Sequence, residues 1–190
     1  EEVGLGKAAD FLALCENQTF IKETINMSAA SLEGFLFPDT YKITKYLGAK
    51  DLIRKMTSLF KEVIKDIKSR TDVKFTTLEW VTLSSIIEKE TGAPDERPIV
   101  ASVIFNRMKK KMRLQMDTTT IYGIWKKTGM MVKNIKKADL SEKNEYNTYT
   151  FLGLPAGPIG NPGRESLMAA INPAQSNYLY FVSHNDGTHE

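Results

Sequence analysis

Hydrophobic and polar positions recur with a helical period along much of this chain of 190 residues. The clearest case is residues 49–68, where apolar side chains return every three or four positions and lysines fill the opposite face. Shorter patterns of the same kind predict helices at residues 7–16, 20–25 and 166–171. The pattern therefore predicts a chain that is helical in its first half and at one later point.

Two further helices are predicted in the middle of the chain. Thr76 and Glu79 form a capping-box pattern that begins a helix over residues 77–91. Asp95 is suited to cap the next helix, residues 95–110, whose first turn tolerates a proline. Because the connection is short, we expect these two helices to pack as a hairpin.

The remaining segments have a different pattern. Residues 112–117 alternate between apolar and polar side chains, residues 178–182 are the best candidate strand, and residues 41–46 form a short extended piece. Residues 126–144 are polar and predict a loop or a short helix, and the many glycines and prolines of residues 153–163 predict a shaped loop. Together the patterns predict several helices and a few short extended segments.

The composition and the net charge of the chain exclude several classes of protein and of binding site. A net charge of +3 is small for this length and argues against a dedicated nucleic-acid-binding protein. Cys15 stands alone, so an intrachain disulfide is excluded, and together with only His184 and His189 it does not make a metal site. We find no apolar run of membrane-spanning length and no signal peptide, and the abrupt ends predict a piece of a longer protein.

Two carboxylates, Glu88 and Glu90, stand at the end of helix 77–91. Two residues apart on a helix, they point about 200° apart and cannot act as a close pair. Glu90 continues the apolar stripe of the helix, whereas Glu88 lies above two serines. Burial raises the pKa of a carboxyl group, as a general acid near neutral pH requires. Glu90 is therefore the candidate acid, although an ordinary surface role in the last helical turn stays open.

Gln115 and Asp117 lie on the candidate strand at residues 112–117, where alternation places them on the same face. Asp117 is either a second carboxylate of the site or the residue that begins the following turn. The role of Gln115 also stays open: it either binds substrate or supports the structure.

Aromatic and amide side chains cluster near the loop that is rich in glycine and proline. Such groups are typical of sites that hold sugars, and they are equally typical of ordinary packing. The candidates for substrate binding are Tyr122, Tyr146, Asn147 and Tyr149.

Four motifs follow one another along the chain. They are Leu32-Glu-Gly-Phe-Leu-Phe-Pro-Asp-Thr-Tyr41; Ser85-Ile-Ile-Glu-Lys-Glu-Thr91 with Glu96-Arg97; Val100-Ala-Ser-Val-Ile-Phe-Asn-Arg107 with Met112-Arg-Leu-Gln115, Asp117 and Ile121-Tyr-Gly123; and Tyr146-Asn-Thr-Tyr149 with Gly153-Leu-Pro-Ala-Gly-Pro-Ile159, Asn161-Pro-Gly163 and Tyr178-Leu-Tyr-Phe-Val182. With these motifs the chain resembles the catalytic region of the endolytic murein transglycosylases, the MltG or YceG-like family. The resemblance covers residues 31–189.

The resemblance implies an α+β fold: a lysozyme-like, mostly helical catalytic domain with a small β element, preceded by part of a LysM-like module. It implies a boundary that leaves residues 1–45 to the N-terminal portion and residues 46–190 to a catalytic domain truncated at its C-terminal end. It also implies an extracytoplasmic location in the cell envelope, a single membrane anchor outside this chain, and peptidoglycan synthases as partners.

The resemblance further implies that Glu90 cleaves peptidoglycan between N-acetylmuramic acid and N-acetylglucosamine, leaving a 1,6-anhydro end and limiting the length of new glycan strands. No cofactor is implied. Because the sugar's own 6-hydroxyl attacks, one carboxylate suffices, and Glu88 falls back to a supporting role. Two alternatives stay open: a muramidase-type hydrolase that uses Asp117 as a partner, and a module that binds glycan without cleaving it.

The chain departs from the family pattern at Thr118 and Ala156, where members usually carry proline. Both positions are expected in loops. The substitutions are therefore expected to change the stiffness of the chain and to leave its chemistry alone.

Overall fold

The structure is a computed structural model that describes residues 6–44 and 47–182. In these residues the chain forms eight α-helices and one short 3-10 turn. It divides into two compact units, and the division falls between Lys74 and Phe75.

The first unit contains three helices: α1 (Ala8–Glu16), α2 (Gln18–Ile25) and α3 (Ala49–Arg70). Asn17 separates α1 from α2 and caps α2, because its Oδ1 accepts a hydrogen bond from Phe20 N at 2.9 Å. The periodic stripe of α3 faces the core of the unit, as its pattern predicts. Its buried members are Ile53, Phe60, Val63, Ile64 and Ile67, and its half-buried members are Leu52, Met56 and Leu59. The core of this unit includes Ile21, Leu32, Phe35, Ile53, Phe60 and Ile67.

The second unit begins with the predicted helical pair. Helix α4 (Thr77–Glu90) begins with the predicted capping box. A 3-10 turn (Pro94–Glu96) then leads directly into α5 (Arg97–Lys109), which packs against α4. The prediction that Asp95 caps this helix is wrong, since it lies inside the 3-10 turn and α5 has no side-chain cap.

Three more helices follow: α6 (Asp117–Thr128), α7 (Lys137–Ser141) and α8 (Arg164–Ile171). Helix α6 was not predicted, because three consecutive threonines favour extended structure. Its ends carry the signals that support it. Asp117 stands in the first turn, and Gly129 closes the helix with a φ of 71°.

Helix α4 is the centre of the second unit. Every residue from Trp80 to Ile87 is buried, so this part of the helix has no solvent-facing side. Helices α5, α6 and α8 pack around it. Trp80 Nε1 donates a hydrogen bond to Leu167 O at 2.8 Å, which joins α4 to α8 through a fully buried side chain. The core thus surrounds the helix that carries the two candidate glutamates.

The predicted α+β class is wrong for the part of the chain that is described, because none of those residues forms a strand. Residues 178–182 are without regular structure. Side chains of α5 bind the carbonyl groups that a neighbouring strand would have engaged. Asn106 Nδ2 donates to Tyr178 O at 2.9 Å, and Arg107 Nε donates to Leu179 O at 2.6 Å.

The other two predicted extended segments also differ from strands. Gln115 has a φ of 51°, which interrupts the alternation of residues 112–117. The turn brings Gln115 N to Thr148 O at 3.2 Å and Met116 N to Thr148 Oγ1 at 3.0 Å. Residues 41–44 are irregular, and the rest of that predicted segment lies outside the described residues.

Several other predictions meet the limits of the described chain. His184 and His189 lie outside the described residues. The predicted boundary after residue 45 falls within the first unit and stays a prediction. Among the helices that the structure describes, none is both long enough and apolar enough to cross a membrane.

Candidate active site

The two glutamates at the end of α4 face different parts of the second unit. Glu88 Oε2 accepts hydrogen bonds from Gly163 N at 2.9 Å and Ser166 Oγ at 2.7 Å, at the start of α8. Its Oε1 pairs with Arg97 Nη2 at 3.2 Å. Glu88 therefore joins α8 and the beginning of α5 to α4. Its negative charge is also stabilised by the N-terminus of α8.

Glu90 is half-buried and meets the beginning of α6. Its Oε1 accepts a hydrogen bond from Thr118 Oγ1 at 2.5 Å. The burial of α4 does not separate the two glutamates, because Ser84 and Ser85 are as fully buried as Leu83. The two glutamates differ in their partners. Glu88 joins helices α4, α5 and α8, whereas Glu90 faces a polar cluster.

That polar cluster contains Asp117 and Tyr149. The Tyr149 hydroxyl donates a short hydrogen bond to Asp117 Oδ1. Burial raises the pKa of Tyr149 above its ordinary value, and the hydrogen bond to Asp117 and the charges of Asp117 and Glu90 raise it further, while Arg107 lowers it in part. The phenol therefore keeps its proton near neutral pH and serves as a donor.

Asn147 is buried, and its amide is occupied by internal partners. Its Nδ2 donates to Asp139 O at 2.9 Å and to Glu142 O at 2.7 Å, and its Oδ1 accepts from Thr120 Oγ1 at 3.1 Å. These contacts hold the loop of residues 144–150 against α6 and α7. Asn147 therefore has a structural role in this loop, and its contact with sugar stays a prediction.

Tyr122 and Tyr146 pack against each other, with ring centroids 4.9 Å apart. Tyr146 is buried, and its hydroxyl accepts a hydrogen bond from Lys126 Nζ at 2.9 Å. Trp125, which is partly exposed, extends the same aromatic group with its ring centroid 5.5 Å from that of Tyr122. This packing contains two of the predicted sugar-binding residues.

The structure brings together three of the predicted site residues: Glu90, Asp117 and Tyr149. Gln115 is exposed just before them, on the backbone turn described above, so the alternation that paired it with Asp117 does not hold. In the described residues, no group of three or more His, Cys, Asp or Glu side chains is arranged to hold a metal ion.

Thr118 is the residue that the sequence interpretation missed. The expectation that it lies in a loop and affects stiffness alone is wrong, since it lies in the first turn of α6 and binds Glu90 directly. The sequence did offer one indication of this role, because the Thr118 hydroxyl directly follows the candidate carboxylate Asp117. Its partner is 28 positions away in the sequence, so no local pattern indicated the contact.

A sequence model of the YceG-like family matches residues 5–190, almost the whole chain. The chain belongs to the YceG-like family. The crystal structure of a yceG-like protein from Listeria monocytogenes has the same fold, with a TM-score of 0.83 and 34% identity. That comparison covers 97% of this chain and 64% of the other.

Two curated proteins, each named endolytic murein transglycosylase, are similar in sequence. The protein of Bacillus subtilis (strain 168) is 36% identical over 158 residues, which are 82% of this chain and 43% of that protein. The protein of Streptococcus pneumoniae serotype 2 is 29% identical over 196 residues, which are 93% of this chain and 35% of that protein. The chain thus spans less than half the length of either relative.

Proposed function

We propose that this member of the YceG-like family is an endolytic lytic transglycosylase of peptidoglycan, with Glu90 as its acid and base. The observation that carries the proposal is the placement of Glu90. It is half-buried at the end of α4, in which every residue from Trp80 to Ile87 is buried. It accepts a hydrogen bond from Thr118 of α6, and its charge acts on Tyr149 of the loop of residues 144–150. The names of the relatives support the choice of substrate.

The reaction begins with Glu90 in its protonated form. Glu90 donates its proton to the glycosidic oxygen while the bond between that oxygen and C1 of N-acetylmuramic acid breaks. The electron pair of that bond stays on the oxygen, which becomes a hydroxyl group of N-acetylglucosamine. Because Glu90 lies at the C-terminal end of the buried helix α4, its backbone is held in place for this proton transfer.

The second step closes the ring. The 6-hydroxyl oxygen of the same muramic acid attacks C1 and forms the 1,6-anhydro bond. Its proton passes to the Glu90 carboxylate, which returns to its starting form, and no water is consumed. An intramolecular nucleophile removes the need for a second carboxylate to activate water or to form a covalent intermediate.

The alternative within enzymes is hydrolysis with Asp117 as the second carboxylate. In the structure Asp117 accepts the hydrogen bond of the Tyr149 phenol, an interaction that suits a residue which orients groups of the site. We therefore assign Asp117 and Tyr149 to support of Glu90 and its substrate. A module that binds glycan without turnover is the remaining alternative.

The test is digestion of purified peptidoglycan by the full protein, followed by mass spectrometry of the product ends. We expect 1,6-anhydro ends from the wild type, and a loss of about 100-fold or more in their rate of formation for Glu90→Gln, which has almost the same volume but cannot transfer the proton. Glu165→Gln, an exposed position of α8, is the matched control and should keep the wild-type rate.

Two results would contradict the assignment. Cleavage that persists in Glu90→Gln removes this residue from the chemistry. A wild-type protein that sediments with peptidoglycan but never shortens it supports the binding module instead.

The cellular setting belongs to the same proposal. Because murein lies outside the cytoplasmic membrane, we propose that the catalytic unit works in the cell envelope and that another part of the protein supplies a membrane anchor. We further propose peptidoglycan synthases as partners, since an endolytic cut would limit the strands that they make. Cell fractionation and crosslinking in growing cells test these two points.

A further inference from the structure

Three consecutive threonines open helix α6, and their hydroxyl groups have different partners. Thr119 Oγ1 donates to Met116 O at 2.7 Å, and Thr120 Oγ1 donates to Asn147 Oδ1 at 3.1 Å, so both stabilise the local fold. Thr118 is less buried than either, and its hydroxyl donates to Glu90 instead. It is thus aimed at the candidate catalytic group.

The position of Thr118 restricts this contact to a narrow geometry. Thr118 is the second residue of α6, and a β-branched side chain in a helix has few allowed χ1 rotamers. The first turn of a helix also favours a nearby negative charge. The first effect holds the contact in one orientation, and the second favours the ionised form of Glu90.

We propose that Thr118 is a positioning residue for Glu90: its hydroxyl orients the carboxyl group and stabilises the carboxylate that forms when Glu90 gives up its proton. The inference rests on the proposed function, because it concerns the same acid. A hydroxyl that donates to a carboxylate favours the charged form, so its contribution is largest after proton transfer to the glycosidic oxygen.

Other ionisable groups belong to the same part of the unit. Tyr149, from the loop of residues 144–150, is influenced by the charge of Glu90 and also by those of Asp117 from α6 and Arg107 from α5. On α4 itself, Glu88 is engaged by Arg97 and by the start of α8, and the side chain of Lys89 lies beside Gly160. After the end of α4, Glu96 accepts a hydrogen bond from Thr91 at 2.8 Å.

The experiment compares Thr118→Val, which keeps the branched shape without the hydroxyl, with Thr118→Ser, which keeps the hydroxyl. We expect the valine variant to lose about 10-fold to 100-fold in kcat on soluble uncrosslinked glycan strands, with KM within about 3-fold of the wild type. The alkaline limb of its kcat profile should move up by about one pH unit, because the protonated acid persists to higher pH. The serine variant should stay within about 3-fold of the wild type in kcat.

Thr128→Val is the matched control, because it removes a hydroxyl from the opposite end of the same helix. It should leave kcat and the pH profile unchanged. Thr118→Ala gives a second variant without the hydroxyl in case the valine variant does not fold. A valine or alanine variant with wild-type kcat and an unmoved alkaline limb overturns the proposal, and so does a change confined to KM.

A measurement without turnover separates this proposal from the proposed function. The side-chain carboxyl carbon of Glu90 is followed by NMR through a pH titration, with Glu90→Gln to assign the signal. The titration midpoint should rise in Thr118→Val and stay in place in Thr118→Ser. If the wild type forms no anhydro ends, the proposed function fails, and equal midpoints in all variants overturn the role of Thr118 by themselves.

Discussion

Two carboxylates in one helical turn, Glu88 and Glu90, have different partners in this protein. Glu88 binds the start of α8 and Arg97, whereas Glu90 binds Thr118. Helical phase predicted that the two side chains diverge, and that much follows from the sequence. Which of them is structural depends on partners 78 and 28 positions away, and a local pattern carries no such information.

Replacement of Glu88 by alanine tests its structural role. The variant loses two hydrogen bonds to α8 and leaves Arg97, whose side chain is 11% exposed, without this carboxylate. We expect the free energy of unfolding to fall by about 2–3 kcal/mol, because an uncompensated buried charge adds to the lost hydrogen bonds. Urea denaturation of the full protein measures the change.

Glu165→Ala serves as the control, since it removes an exposed carboxylate from the first turn of α8. We expect a change within about 0.5 kcal/mol for this variant. A Glu88→Ala variant as stable as the control would show that the three contacts of Glu88 contribute nothing to the fold.

At the scale of elements, α6 is placed by a close approach to the loop of residues 144–150. Gly123 allows it, because a Cβ at this position would lie 2.6 Å from Asn144 Oδ1. The same Asn144 oxygen accepts hydrogen bonds from Tyr146 N at 2.8 Å and Asn147 N at 2.9 Å. The contacts of α6 with the site, from Thr118 to Glu90 and from Asp117 to Tyr149, therefore depend on a glycine that lies outside the site.

Gly123→Ala tests this dependence. In a helix interior the change to alanine ordinarily stabilises by about 1 kcal/mol. Here we expect a net loss of about 1–3 kcal/mol, because the new methyl group displaces Asn144 and the loop that it holds. Thermal or urea unfolding measures the change.

Gly92→Ala is the matched control for this variant. A Cβ at Gly92 would meet no atom within 4 Å, and the residue has no positive φ. It should leave the free energy of unfolding within about 0.5 kcal/mol of the wild type. Stabilisation of Gly123→Ala would mean that α6 and the loop are not in tight contact.

The sequence predicted the helices α3 and α4 correctly but not the strands, and this difference has a physical reason. Helices with a long apolar stripe or a capping box, such as α3 and α4, are specified by local chemistry. The predicted strands at residues 112–117 and 178–182 had the right composition, but the part of the chain that the structure describes offers them no partner strand. Their backbone groups bind Thr148, Asn106 and Arg107 instead. Strand formation depends on such distant pairing, which a single sequence does not display.

At the scale of the molecule, the whole candidate site lies in the second unit. The buried helix α4 supplies Glu90, the proposed acid, α6 supplies the hydroxyl that binds it, and the loop of residues 144–150 supplies the phenol that binds Asp117. Local patterns were enough to select Glu90, Asp117 and Tyr149 as candidates. The contacts that join them come from the packing of the unit as a whole.

In the proposed reaction Glu90 alone suffices, because the substrate provides its own nucleophile. The most direct measurement is digestion of peptidoglycan in water enriched in the heavy oxygen isotope, quenched by borohydride and followed by mass spectrometry of the muramic acid ends. A muramidase digest in the same water is the positive control for incorporation. We predict anhydro ends that contain no heavy oxygen, in amounts that fall with Glu90→Gln. Reducing ends that contain one heavy oxygen atom would rule out this mechanism and favour hydrolysis with Asp117.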